Sequence, residues 1–153
     1  MIHIVLVEPV IPPNTGNIAR TCVATNSQLH LVEPLGFSLS DRDLKRAGLD
    51  YWFDLNVELW QDLDHCLPAF SEQQIFYVTT KGKQLYSDVQ YNKDCVLFFG
   101  KEDKGLPEEI LFTHPERCIR IPMADNKRSL NLANSVSIVL YEALRQQGFP
   151  DLA

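Results

Sequence analysis

No C-x-x-C pair occurs in this chain: its four cysteines, Cys22, Cys66, Cys95 and Cys118, stand far apart, and three of them sit inside apolar runs. A zinc site needs Cys or His paired at short spacing, and His3, His30, His65 and His114 supply no such pairing. Reduced core thiols and no metal are expected. No uninterrupted apolar stretch reaches membrane length, and the opening MIHIVLVEP has no basic leader. A cytosolic protein is expected, since thiols stay reduced there. Positive charge is not in excess either: 14 Lys and Arg against 20 Asp and Glu give a net charge of -6. That balance argues against gripping nucleic acid through overall potential. Neither G-x-G-x-x-G nor a glycine-rich turn ending in Gly-Lys-Ser/Thr is present, which removes the common dinucleotide and nucleoside-triphosphate fingerprints. Repeats and linkers are lacking too.

What remains is ordinary globular composition, 45% hydrophobic and 22% charged over 153 residues. One domain spanning 1–153 is expected, long enough to enclose an apolar core. Charge is uneven along the chain. Arg42, Lys45 and Arg46, Lys81 and Lys83, and Lys127 and Arg128 form basic groups, while acidic residues collect between Asp50 and Glu72.

Apolar, β-branched runs bounded by turn residues predict six strands: Ile2–Val7, Gln28–Val32, Tyr51–Val57, Ile75–Thr80, Cys95–Phe99 and Arg117–Ile121. Between them, helices are expected from Asn14, as N-cap, to about Asn26, from Ser40 to Gly48, and from Trp60 to Phe70 with a break near Pro68. Leu132, Val136, Val139, Leu140 and Leu144 recur at helical spacing, so Asn131–Gln147 forms an amphipathic helix closed by Gly148 and Pro150. Alternating strands and helices imply an α/β fold with a mostly parallel six-stranded sheet flanked by helices.

Ligands of parallel sheets bind outside the carboxyl ends of the strands, so three loops there hold the chemistry. Pro12-Pro13-Asn14-Thr15-Gly16-Asn17-Ile18-Ala19-Arg20 opens a helix whose first N–H groups are offered to an anion. Phe99-Gly100-Lys101-Glu102-Asp103-Lys104-Gly105-Leu106-Pro107 brackets four charges with two glycines. Gly100 would admit a planar ligand close to the backbone, and Glu102 would orient a cation or hydroxyl. The third runs from Ile121-Pro122-Met123 through Lys127-Arg128-Ser129-Leu130-Asn131 to Ser135. Ser129 is a candidate N-cap there, and capping does not require Asn131, Asn134 and Ser135 as well. Each loop alone also reads as a capped or solvated turn.

In series, N-T-G-N-I-A-R, F-G-K-E-D-K-G-L-P and I-P-M with S-L-N-L-A-N-S-V-S-I resemble the three motifs of the SPOUT class of RNA methyltransferases. The similarity is closest to its short TrmL/YibK-like branch, which 2′-O-methylates the wobble nucleotide of certain leucine tRNAs. It covers nearly the whole chain, and E-P-x-I-P-P-N-T-G-N, R-A-G-L-D-Y and T-T-K-G also look like that branch.

The resemblance implies an α/β knot fold with a deep C-terminal trefoil knot across roughly 75–147. It implies that S-adenosyl-L-methionine binds among Val78, Thr79, Gly100, Glu102, Ile121, Ser129 and Leu130, leaving S-adenosyl-L-homocysteine as product. Arg20, with Ser129 and Asn131, is then associated with activating a ribose 2′-hydroxyl. A homodimer is implied, with Ile138, Tyr141 and Phe149 as candidate contacts. Arg42, Lys45, Arg46, Lys127, Arg128 and Tyr141 would face tRNA. Two other readings of the residues remain open, a small-molecule nucleotide-binding α/β enzyme and a catalytically idle RNA-binding module.

Overall fold

The computed structural model describes residues 1–40, 42, 46 and 54–153. Its elements in chain order are β1 (Ile2–Val7), α1 (Pro12–Ala24), β2 (Gln28–Val32), β3 (Glu58–Trp60), α2 (Leu63–Cys66), β4 (Gln74–Val78), β5 (Gln84–Leu85), β6 (Cys95–Phe99), α3 (Glu108–Thr113), β7 (Cys118–Arg120) and α4 (Leu132–Gln146). The strands form one seven-stranded sheet in the order β3-β2-β1-β6-β4-β7-β5. All of the pairings are parallel. β6 lies inside the sheet and is buried along its whole length, which explains why its five residues are all apolar.

Residues alternate between the faces of the sheet, so each face receives its own core. On one face Ile4, Leu6 and Leu97 pack under Ile18 and Cys22 of α1 and Val136 and Leu140 of α4. On the other, Val5, Val7, Tyr77 and Phe98 pack with Cys66, Phe70 and Leu106. Each such large side chain, once fully buried, contributes about 1.5–3 kcal/mol. All four cysteines are free and buried. Burial pushes the thiols of Cys22, Cys66 and Cys95 up to about 12, so they stay protonated and unreactive.

Several boundaries differ from the sequence expectation for local reasons. The sheet has seven strands rather than six, the addition being the two-residue β5, too short to leave an apolar run. Of the expected strand Tyr51–Val57, residues 51–53 lie outside the described residues and 55–57 are not strand; pairing with β2 begins at Glu58. The expected helix Ser40–Gly48 lies outside the described residues except for Ser40, Arg42 and Arg46. The Trp60–Phe70 helix starts late and is broken. Asp62 caps α2 by accepting from the His65 N–H at 2.9 Å, and a 3₁₀ turn over Leu67–Phe70 takes over where Pro68 has no N–H to give.

A buried polar chain crosses the first strands. The Trp60 indole N–H donates to His30 Nδ1 at 3.1 Å, His30 Nε2 lies 3.0 Å from His3 Nδ1, and His3 Nε2 is 3.5 Å from Asp94. An indole can only donate, so neutral His30 carries its proton on Nε2 and passes a hydrogen bond to His3. Phe70 closes the cluster edge-on to His30. Burial, and then the charge of His3, lower the His30 pKa from 6.5 to about 4.

The unfolded chain therefore protonates His30 first as pH falls. Stability from this site is complete above pH 6.5 and is lost as pH drops through about 4. The loss is on the order of 3 kcal/mol. Urea titrations of the wild type and His30→Gln over this range check it. The wild type should lose stability that the glutamine variant, which still accepts from Trp60, does not; parallel curves would contradict the assignment.

Candidate active site

The loops following β1, β4, β6 and β7 leave the carboxyl ends of four neighbouring strands and enclose a cavity of about 790 Å³. That size suits a ligand of drug or cofactor scale, for which about 300–1,000 Å³ is usual. Val78, Leu106, Leu111, Ile121 and Leu132 form its apolar walls. Thr79, Gly100, Glu102, Ser129, Leu130 and Asn131 supply polar and backbone groups. All seven residues expected around a cofactor therefore line one cavity. Of the expected catalytic set, Ser129 and Asn131 line it as well, whereas Arg20 does not; Arg20 is exposed on α1.

The loops are tied to one another by side chains. Glu102 accepts from the backbone N–H groups of Val10 (2.9 Å) and Ile11 (3.0 Å) and from the Asn14 amide (3.3 Å). Asn14 in turn accepts from the Asn131 amide at 3.0 Å, which links the first loop to the third. Hydrogen bonds to a charged acceptor contribute about 1.5–3 kcal/mol each, so this bridge holds the three segments in register.

The bridge corrects three expectations. Asn14 is not an N-cap: α1 begins at Pro12 with Ile11 as cap residue, and the buried Asn14 side chain faces the other loops. The donors beside that helix start are not all held out to an outside anion, because the Glu102 carboxylate already takes two of them. Glu102 thus serves as a brace between loops rather than as an orienter of a cation or hydroxyl. In the third loop the cap is Asn131, whose Oδ1 accepts from the Asn134 N–H at 3.2 Å, leaving Ser129 exposed at the cavity. Ser135 is also committed in part, its hydroxyl donating to the Asn131 carbonyl at 3.1 Å.

Glycine is required here by the protein's own backbone. A Cβ on Gly100 would lie 1.9 Å from the carbonyl carbon of Gly105 and 2.1 Å from Leu106 N. The space on the Cβ side of Gly100 is therefore filled by the returning loop, which closes through Gly105 N–H to Lys101 O at 2.8 Å, while Gly100 itself lines the cavity. Gly82 of the T-T-K-G string is similarly pressed on β7, where a Cβ would meet the Ile119 carbonyl carbon at 2.6 Å.

Of the residues expected to face RNA, Arg128 lines the cavity, and Arg42, Arg46 and Lys127 are exposed elsewhere. Lys45 lies outside the described residues, as does most of the R-A-G-L-D-Y string. Tyr141 on α4 is 46% exposed and Phe149 is 41% exposed. Lys81, Lys101 and Lys104 also line the cavity; Lys81 belongs to one of the basic groups of the sequence, and the basic character of all three beside glycine-bounded turns is the signal that could have placed them here.

A parallel sheet carrying a strand-end cavity of cofactor size, with three linked loops around it, defines an α/β protein with a ligand site at the carboxyl ends of its strands. The chain belongs to the SpoU rRNA Methylase family, whose model matches residues 1–141. It is 50% identical over 151 residues to the tRNA (cytidine(34)-2'-O)-methyltransferase of Escherichia coli (strain K12), covering 98% of this chain and 96% of the relative. A solved structure described as "Structural insights into the 2-OH methylation of C/U34 on tRNA" superposes with a TM-score of 0.92 at 42% identity, covering 97% of both chains. An AdoMet-bound rRNA methyltransferase from Sinorhizobium meliloti superposes with a TM-score of 0.84 at 27% identity over 94% of this chain and 56% of its own.

Proposed function

We propose that the chain transfers a methyl group from S-adenosyl-L-methionine to the ribose 2′-hydroxyl of the wobble nucleotide, cytidine or uridine 34, of tRNA, with leucine tRNAs as the preferred substrates. The observation that carries this reading is the coincidence of the three motif loops in one braced cavity. Relatives named for this reaction support it.

The residues present fit the cofactor. Apolar walls and strand-end backbone groups can hold an adenosyl moiety without a charged partner. When bound, its sulfonium supplies an electrophilic methyl group. The chain's own residues must then align the ribose hydroxyl in line with that methyl, and alignment of this kind accounts for much of a rate enhancement. Val78, Thr79, Gly100, Glu102, Ile121, Ser129 and Leu130 are assigned to the cofactor, while Ser129 and Asn131 also orient the incoming ribose. A guanidinium offers hydrogen-bond donors and no acceptor, so the part of Arg20 is donation to the adjacent phosphate or hydroxyl and not proton abstraction.

In the same reading the chain is a single domain over 1–153, knotted across about 75–147, that works as a cytoplasmic homodimer. The exposed Tyr141 and Phe149 and the partly buried Ile138 support a contact surface along α4. Arg42, Lys45, Arg46, Lys127, Arg128 and Tyr141 are assigned to the tRNA. Among the described residues no helix is long and apolar enough to cross a membrane. The reading is tested by incubating the protein with methyl-labelled S-adenosyl-L-methionine and unmodified total tRNA. Label should enter the tRNA; failure to label it overturns the assignment.

A further inference from the structure

The charges lining the cavity do not follow the chain's net charge of -6. Lys81, Lys101, Lys104 and Arg128 line it, against Glu102 and Asp103. Half of these are committed. Lys81 pairs with Glu108 at 2.6 Å, Lys101 lies 3.7 Å from Glu8, and both Glu102 oxygens accept from the first loop. Lys104, on the second loop, and Arg128, on the third, are exposed, and among the described residues their side chains have no hydrogen-bond or ion-pair partner. Asp103 is the one acid of the lining left to oppose them.

Two uncommitted cations on separate loops at one cavity constitute a local basic site in an acidic protein. We infer that Lys104 and Arg128 together form a phosphate clamp at the mouth of the cavity, gripping the RNA backbone beside the ribose that enters. The inference rests on the RNA-methylating reading above and assigns Lys104, which the sequence had not marked, to substrate binding. Phosphodiesters suit these groups: Arg presents a planar fork to phosphate oxygens and Lys a mobile point charge. Each phosphate neutralised releases counterions, so each contact adds to the salt dependence of binding. The alternative recipient of this charge is the carboxylate of the cofactor's amino-acid end.

The test compares wild type, Lys104→Ala, Lys104→Arg, Arg128→Ala and Asp103→Asn in two measurements: affinity for unmodified tRNA over a series of salt concentrations, and affinity for S-adenosyl-L-homocysteine by calorimetry. Lys104→Ala and Arg128→Ala should each weaken tRNA binding several-fold at low salt and flatten the plot of log affinity against log salt by roughly 0.7 per lost contact, with cofactor affinity unchanged. Lys104→Arg should restore the slope, and Asp103→Asn should tighten tRNA binding. A tenfold loss of S-adenosyl-L-homocysteine affinity with the tRNA salt slope unaltered would overturn the clamp in favour of the cofactor carboxylate, and no change in either affinity would overturn it outright. Because the positions are exposed, unchanged melting temperatures should accompany each variant. Wild-type methylation of tRNA, measured alongside, separates failure of the clamp from failure of the enzymatic reading.

Discussion

Replacing Gly100 by alanine should unseat the second loop and weaken cofactor binding at least tenfold. The added methyl would stand 1.9 Å from the Gly105 carbonyl carbon, 2.1 Å from Leu106 N and 2.4 Å from the Gly105 oxygen. All three are backbone atoms, so no side-chain rotation relieves the clash. Either the 101–105 turn moves outward, breaking the Gly105 to Lys101 hydrogen bond, or the end of β6 shifts within a strand buried throughout. Overpacking of this kind costs about 1–3 kcal/mol, occasionally more. In a domain of this size each 1 kcal/mol lowers the melting temperature by roughly 2–4 °C. Melting should fall accordingly, and S-adenosyl-L-homocysteine affinity should drop at least tenfold because Glu102 and Gly105 move with the turn. Wild-type melting and affinity in Gly100→Ala would show that the loop has slack the structure does not display.

Arg20→Lys should lose at least a hundredfold in kcat, about the effect of removing one well-placed transition-state donor, while retaining cofactor affinity. The residue lies on the exposed side of α1, outside the cavity lining, in the helix that Asn14 ties to the second and third loops. In the proposed reading its guanidinium meets RNA rather than cofactor. Lysine keeps the charge and loses the planar two-pronged donor geometry. If charge alone mattered, the variant would turn over near the wild-type rate, and the donor role would fail. A matched loss of S-adenosyl-L-homocysteine binding would instead make Arg20 part of the cofactor site.

How far the sequence revealed these features depended on the range of the interaction. β1, β2 and β6 occupy the residues expected, because a buried strand writes itself as a local apolar run. α4 likewise follows its apolar recurrence to within a residue at each end. Glu58–Trp60 could not be read in this way, since two of its three residues are exposed and its strand character comes from pairing with β2. The His3–His30–Trp60 chain was invisible for the same reason. It depends on His30 lying opposite Val5, two places from His3 along β1, and strand register is not local information.

The site shows the same division. The family resemblance named seven residues around the cofactor, all but Val78 within the strings that carry it, and all seven line the cavity. Their physical reasons were misassigned where the partner is remote in sequence. Glu102 meets Val10 and Ile11, and Asn14 meets Asn131, only after the strands are ordered. Spacing alone made Asn14 and Ser129 look like helix caps; the fold gives one cap to Asn131 and frees both side chains for other contacts.

The central claim is that this braced cavity methylates a ribose hydroxyl of tRNA and not a base. Nucleoside mass spectrometry of unmodified tRNA treated with the protein and S-adenosyl-L-methionine tests it most directly. The account predicts 2′-O-methylcytidine or 2′-O-methyluridine at position 34, absent when Arg20→Lys is used. Methyl label on a base, or at a ribose other than the wobble nucleotide, would contradict it.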